Sequence, residues 1–140
     1  MAPEWLPAEV VMILRVVLAA VLGAVVGWER FHAGKMAGIR THMLVSVGAA
    51  LFTVTSMWAF GDKADAARLA AGVVAGIGFI GGGMIIRTSG GALEGLTTAA
   101  GIWAVSAIGL AAGAGMYIVA PVVALIVFII LLIPKKMAGQ

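Results

Sequence analysis

Between Pro7 and Trp28 the chain runs through 22 residues of which only Glu9 and Arg15 are charged, and four more stretches of the same character follow before Pro134. A helix that crosses the hydrocarbon core of a bilayer needs roughly 20 mostly apolar residues. Residues 7–28, 38–60, 69–86, 96–112 and 116–133 fit that template, joined by short connections. Hydrophobic residues make up 63% of the chain and charged ones 11%, at a mean hydropathy of +1.15. A soluble globule of this size leaves too much surface in water to hide such a composition. The sequence therefore predicts an all-α, polytopic membrane helix bundle of about five spans, forming one domain over residues 1–140.

The net charge is +3, yet the nine Lys and Arg are scattered between apolar runs and form no stripe for nucleic acid. Topology explains them better, because basic residues are retained on the cytoplasmic side. With the N-terminus outside, the inner face collects Arg30, Lys35, Arg40, Arg87, Lys135 and Lys136, and the outer face holds Lys63 and Arg68 beside Glu4, Glu9, Asp62 and Asp65. An outside N-terminus and an inside C-terminus are expected. The first apolar run is too long for a signal-peptide core and is expected to stay as a membrane helix. Without cysteine there is no disulfide, thiol chemistry or thiolate metal site.

Small residues four apart let helix backbones approach closely in lipid. They occur as Gly23/Gly27, Gly72/Gly76, Gly78/Gly82 and Gly109/Gly113, as packing within one bundle or as a homodimer seam. Gly76-Ile-Gly78-Phe-Ile-Gly81 matches a dinucleotide-binding pattern, but that pattern has meaning only between a strand and a helix. Gly81, Gly82 and Gly83 each cost roughly 1 kcal/mol relative to alanine in a helix interior. The third span is thus a candidate for a break, of the kind that marks binding sites in transporters, or else for close packing.

The two inner connections resemble each other. Arg30 precedes Gly34, Gly38 and Thr41, and Arg87 precedes Gly91, Gly95 and Thr98 at the same spacing, offset by 57 residues. A parallel internal repeat would place the N-termini of the second and fourth helices side by side, with Thr41, Thr97 and Thr98 available as caps. Glu29, Arg30, Arg40, Thr41, Arg87, Glu94, Thr97 and Thr98 form the candidate inner-face polar site. Its acidic and basic groups can neutralise each other, bind an anion or lipid headgroup at the helix N-termini, or, through Glu29, Glu94 and the threonine hydroxyls, hold a hard cation such as Mg²⁺. His32 and His42 make no convincing metal pair and are expected in surface or capping roles. Arg15 lies about 10 Å into the first span and needs water, a headgroup or a carboxylate, Glu9 or Asp62 being candidates; it is equally a functional candidate. Trp28, Trp58 and Tyr117 fall near span ends as interfacial aromatics do, and Trp103 deeper, as packing or a pocket wall.

Gly27-Trp28-Glu29-Arg30, Gly34-Lys-Met-Ala-Gly38-Ile-Arg40-Thr41-His42, Gly76-Ile-Gly-Phe-Ile-Gly81-Gly82-Gly83 and Gly95-Leu-Thr97-Thr98 together resemble the MgtC/SapB membrane domain over nearly the whole chain. That resemblance implies a bacterial inner-membrane protein linked to growth at low magnesium and, in some pathogens, to survival inside host cells. The family name implies magnesium transport, while other members resemble regulators acting on membrane partners such as the ATP synthase. Larger relatives carry a cytoplasmic C-terminal domain, and this chain resembles a short form without it. No nucleophile with a base appears, so a non-enzymatic regulator that binds membrane proteins through glycine-lined faces is the first reading. A cation carrier or channel using Glu29, Glu94 and a broken third helix is the second, and an anion or lipid-headgroup site the third.

Overall fold

The computed structural model of the chain describes residues 6–59 and 65–134. Five helices follow in order: α1 (Ala8–His32), α2 (Ile39–Ala59), α3 (Ala66–Gly83), α4 (Leu96–Gly113) and α5 (Val119–Leu131), with β1 (Ile86–Arg87) and β2 (Leu93–Glu94) pairing as a two-residue hairpin between α3 and α4. The protein is an all-helical membrane protein. α1, α2 and α4 are each long and apolar enough to cross a bilayer, whereas α3 and α5 are apolar but shorter. At 1.5 Å per residue the 13 residues of α5 extend about 20 Å. Leu125, Ile130 and Phe79 are among many large apolar side chains that point outward, Phe79 at 87% exposure, as lipid solvation requires.

Several boundaries depart from the hydropathy reading. The first helix continues past Trp28 to His32, so Glu29 and Arg30 belong to its last turn and not to a loop. It ends where Gly34 takes a left-handed conformation (φ +64°), with Gly34 N–H donating to Phe31 O and Lys35 N–H to Arg30 O. These two bonds satisfy carbonyls that a helix end otherwise leaves open. The same pair closes α4 at Gly115 (φ +81°), from Gly115 N–H to Ala112 O and Met116 N–H to Ala111 O. α3 starts on Asp65, whose carboxylate accepts from Arg68 N–H at 3.1 Å.

α3 is not broken at its glycines: Gly76, Gly78, Gly81, Gly82 and Gly83 are all helical, and the run ends the helix instead of interrupting it. Ile85 and Ile86 therefore leave the span, and the chain turns through the hairpin. The repeat is kept in its second half only. α2 and α4 begin at equivalent positions, Ile39 and Leu96, with matching first bonds from His42 N–H to Gly38 O and from Ala99 N–H to Gly95 O. Gly34 and Gly91 both adopt positive φ. Arg30, however, is helical and Arg87 lies in β1, so the preceding elements do not correspond.

At the centre α2 is held between α1 and α4 by missing side chains. A Cβ on Gly23 would stand 2.7 Å from His42 O, one on Gly27 2.7 Å from the Ile39 Cα, and one on Gly113 2.6 Å from Ala50 O; Gly109 meets the Ser46 carbonyl more closely still. Rising numbers in α1 meet falling numbers in α2, so these two are antiparallel, whereas α4 runs parallel to α2. Ala19, Val26, Ala50, Val105, Ile108 and Ala112 complete this core, with Ala120 and Ala124 joining from α5. The glycines of α3 differ: Gly72, Gly76, Gly78, Gly82 and Gly83 have no atom of another element within 4 Å of a Cβ position, and Gly81 alone approaches α4, at Ala99.

Candidate functional site

Extension of α1 to His32 carries Glu29 and Arg30 onto the face that packs against the bundle, where they are 9% and 3% exposed. The guanidinium grips its neighbour's carboxylate with both arms, Nη2 donating to Oε1 at 2.8 Å and Nε to Oε2. Nη2 also donates to Leu131 O at 3.3 Å, at the last turn of α5. Two charges that would each be costly inside a low-dielectric bundle thus become one neutral unit. The unit caps a helix C-terminus, where a cation is favoured.

Arg15 does the same at the other end of α1. It is 8% exposed, and neither Glu9 nor an outward path to water serves it; Asp62 lies outside the described residues. Nη1 donates to Gly113 O at 3.0 Å and Nε to the Tyr117 hydroxyl at 3.0 Å, with the guanidinium carbon 5.7 Å from the Tyr117 ring centre. Gly115 makes room, since a Cβ there would lie 2.7 Å from Nη2. The arginine therefore caps α4 as Arg30 caps α5.

The remaining members of the inner-face set are not gathered into one cluster. Arg40, Arg87 and Glu94 are exposed, and Arg87 folds back to donate to Gly91 O at 3.3 Å. Thr41 and Thr97 are half-buried and Thr98 is buried at 4% exposure. The N-cap of α4 is Gly95 (φ +92°), which has no side chain to offer and is held tightly against Met84 O. Among the described residues no three His, Asp or Glu side chains converge as metal ligands. Lys63, Lys135 and Lys136, counted for orientation, lie outside the described residues.

A polar cluster that hydropathy did not single out lies deeper. His42, expected at a surface or cap, is 0% exposed, and its Nδ1–H donates to Gly38 O at 2.9 Å because a carbonyl can only accept. Ser46, one turn on, is also 0% exposed, and Ser106 of α4 is 2% exposed with its hydroxyl donating to Trp103 O at 2.8 Å. The i, i+4 spacing of His42 and Ser46, within the apolar middle of α2, was the available signal. Trp103, by contrast, is 51% exposed and faces outward instead of walling a pocket.

A lipid-exposed helical bundle whose buried charges cap its own helices defines an all-helical membrane protein. The sequence profile of the MgtC family matches residues 16–140, and the chain belongs to that family. It is 46% identical over 112 residues to an Escherichia coli K12 protein named "Putative magnesium transporter YhiD", covering 75% of this chain and 52% of that one. It is 44% identical over 105 residues to "Protein MgtC" of Salmonella typhimurium LT2 (75% and 44% covered) and 41% identical over 115 residues to "Protein SrpB" of Synechococcus elongatus (74% and 63%). The chain spans about half the length of the curated relatives it matches. No solved structure matches it significantly.

Proposed function

We propose that the chain is a non-enzymatic, five-span protein of the bacterial inner membrane that serves magnesium homeostasis, or adaptation to low magnesium, by helix-to-helix contact with other membrane proteins. The observation that carries this reading is the contrast between its glycine faces. Those of α1 and α4 are filled by α2, while Gly72, Gly76, Gly78 and Gly82 of α3 have nothing against them. In lipid, small residues favour association only where a second backbone can come close. A groove of about 890 Å³ between Leu44, Gly48 and Phe52 of α2 and Leu69, Gly72 and Gly76 of α3 lies beside that face. The names of the relatives support the link to magnesium. The buried Glu29–Arg30 pair argues against Glu29 as a free cation ligand.

The test uses a bacterium deleted for its own family members and grown in limiting magnesium. The full chain is expected to restore growth, and Gly72→Leu/Gly76→Leu to accumulate in the membrane without restoring it. Proteoliposomes of the pure chain, loaded with a Mg²⁺-sensitive dye, are expected to stay silent. Full growth with the double variant removes the contact face; uptake abolished by Glu94→Gln replaces regulation with a cation pathway.

A further inference from the structure

Two buried polar atoms have no hydrogen-bond partner within the described chain, Nε2 of His42 and Oγ of Ser46. Both belong to the face of α2 enclosed by α1 and α4, one helical turn apart, in residues of 0% exposure. With Nδ1–H committed to Gly38 O, Nε2 presents a lone pair and calls for a donor. Ser46 packs its backbone against Gly109, at a different level of α4.

Nε2 faces α4 at Gly101, which is itself buried. A Cβ built there would lie 3.6 Å from Nε2 and within 4 Å of no other described atom beyond its own helix backbone. The glycine thus leaves a notch with room for at least one methyl-sized atom in front of the lone pair. Thr98, 4% exposed and three residues before Gly101, shares that side of α4. The lining sets the chemistry of the occupant. Nε2 rejects an anion, and among the described residues no cluster of three acidic or imidazole groups offers a cation its ligands. A small neutral group that both donates and accepts is what fits.

We propose that the Gly101 notch binds one water molecule, which donates to His42 Nε2 and exchanges a hydrogen bond with the Thr98 hydroxyl. Buried waters commonly make two to four such bonds, and this site supplies partners within that range. The water ties α2 to α4 through polar contacts, beside the glycine and aliphatic contacts of these parallel helices.

Because a methyl at Gly101 clashes with nothing, its effect has a diagnostic sign. If the notch is dry, Gly101→Ala fills space and improves helix propensity, so the thermal midpoint of the detergent-solubilised full chain rises. If it holds water, the methyl displaces that water and strands Nε2, and the midpoint falls by roughly 3–8 °C. In a His42→Leu background, where no lone pair needs a donor, Gly101→Ala is expected to raise the midpoint. Gly101→Ser, carrying its own hydroxyl, is expected to stand above Gly101→Ala although serine is the poorer helix former. A rise on Gly101→Ala in both backgrounds, or a fall in both, overturns the proposal. Should His42→Leu not fold, the serine comparison decides: Gly101→Ser no more stable than Gly101→Ala refutes the bound water.

Discussion

Removing Arg30 tests whether the buried ion pair organises the end of the bundle where α1 and α5 terminate. In Arg30→Met the Glu29 carboxylate, 9% exposed, loses both of its guanidinium bonds, and Leu131 O loses its donor. Breaking one partner out of a buried pair costs about 3–5 kcal/mol, and the orphaned carbonyl adds about 1 kcal/mol. Glu29→Gln strands the guanidinium instead and is expected to cost about 3 kcal/mol or more. The double variant Glu29→Gln/Arg30→Met carries no buried charge at this site and is expected to fall within about 2 kcal/mol of wild type, since neutral replacement of a buried pair is often tolerated. The coupling between the two sites is then about 3 kcal/mol or larger, read from equilibrium unfolding in mixed micelles with rising SDS fraction and helicity by circular dichroism. Single variants that cost under about 1 kcal/mol, or a double variant that costs the sum of the two, would refute the reasoning, because the charges would then be solvated and independent.

Filled and open glycines should respond oppositely to a methyl: Gly109→Ala, forced against the Ser46 backbone, is expected to lose about 1–3 kcal/mol, and Gly82→Ala to gain up to about 1 kcal/mol, by the same unfolding assay. Tyr117→Phe removes the acceptor for Arg15 Nε and is expected to cost about 1.5–3 kcal/mol, visible as a lower thermal midpoint; an unchanged midpoint would mean Gly113 O alone suffices for that charge. The absence of native cysteine makes topology directly readable. With five spans and an outside N-terminus, a membrane-impermeant maleimide should label Ala114→Cys on intact spheroplasts and Ser89→Cys only after permeabilisation; labelling of both from one side rules that topology out.

Hydropathy located all five helices because lipid-facing residues must be apolar whatever they pack against, and Leu125 or Phe79 reads the same in sequence as in the fold. It misplaced the end of α1 because it counts Glu29 and Arg30 as two charges, whereas their mutual bonding makes them one neutral group that can stay helical and buried. The signal that does mark that end is Gly34, whose positive φ closes the helix. The glycine motifs announced close approach without saying by what: the same four-residue spacing is occupied in α1 and α4 and open in α3, a difference set by tertiary arrangement. His42 was hidden for a related reason, since the direction a single imidazole faces in an apolar helix depends on which neighbours cover it.

The two arginines of α1 explain how α4 and α5, which run in opposite directions, are both held by one helix. They lie 15 residues apart, about 22 Å along the helix, and each caps a helix whose C-terminus falls at that level, α4 at Arg15 and α5 at Arg30. Since α4 and α5 run in opposite directions, a single rigid helix can hold both only by carrying one cation near each end. Glycine notches then seat α2 between α1 and α4. α3 has no charge or notch of this kind; it is held by Ile77, Val73 and Met84 against Ile102, Ala37 and Val45, and by Gly81 beside Ala99. Lipid exerts no hydrophobic pressure to close its remaining faces. A helix that packs on α2 and α4 without a buried charge, most of its glycines open, is the element of this fold best placed to change neighbours without disturbing the buried charges.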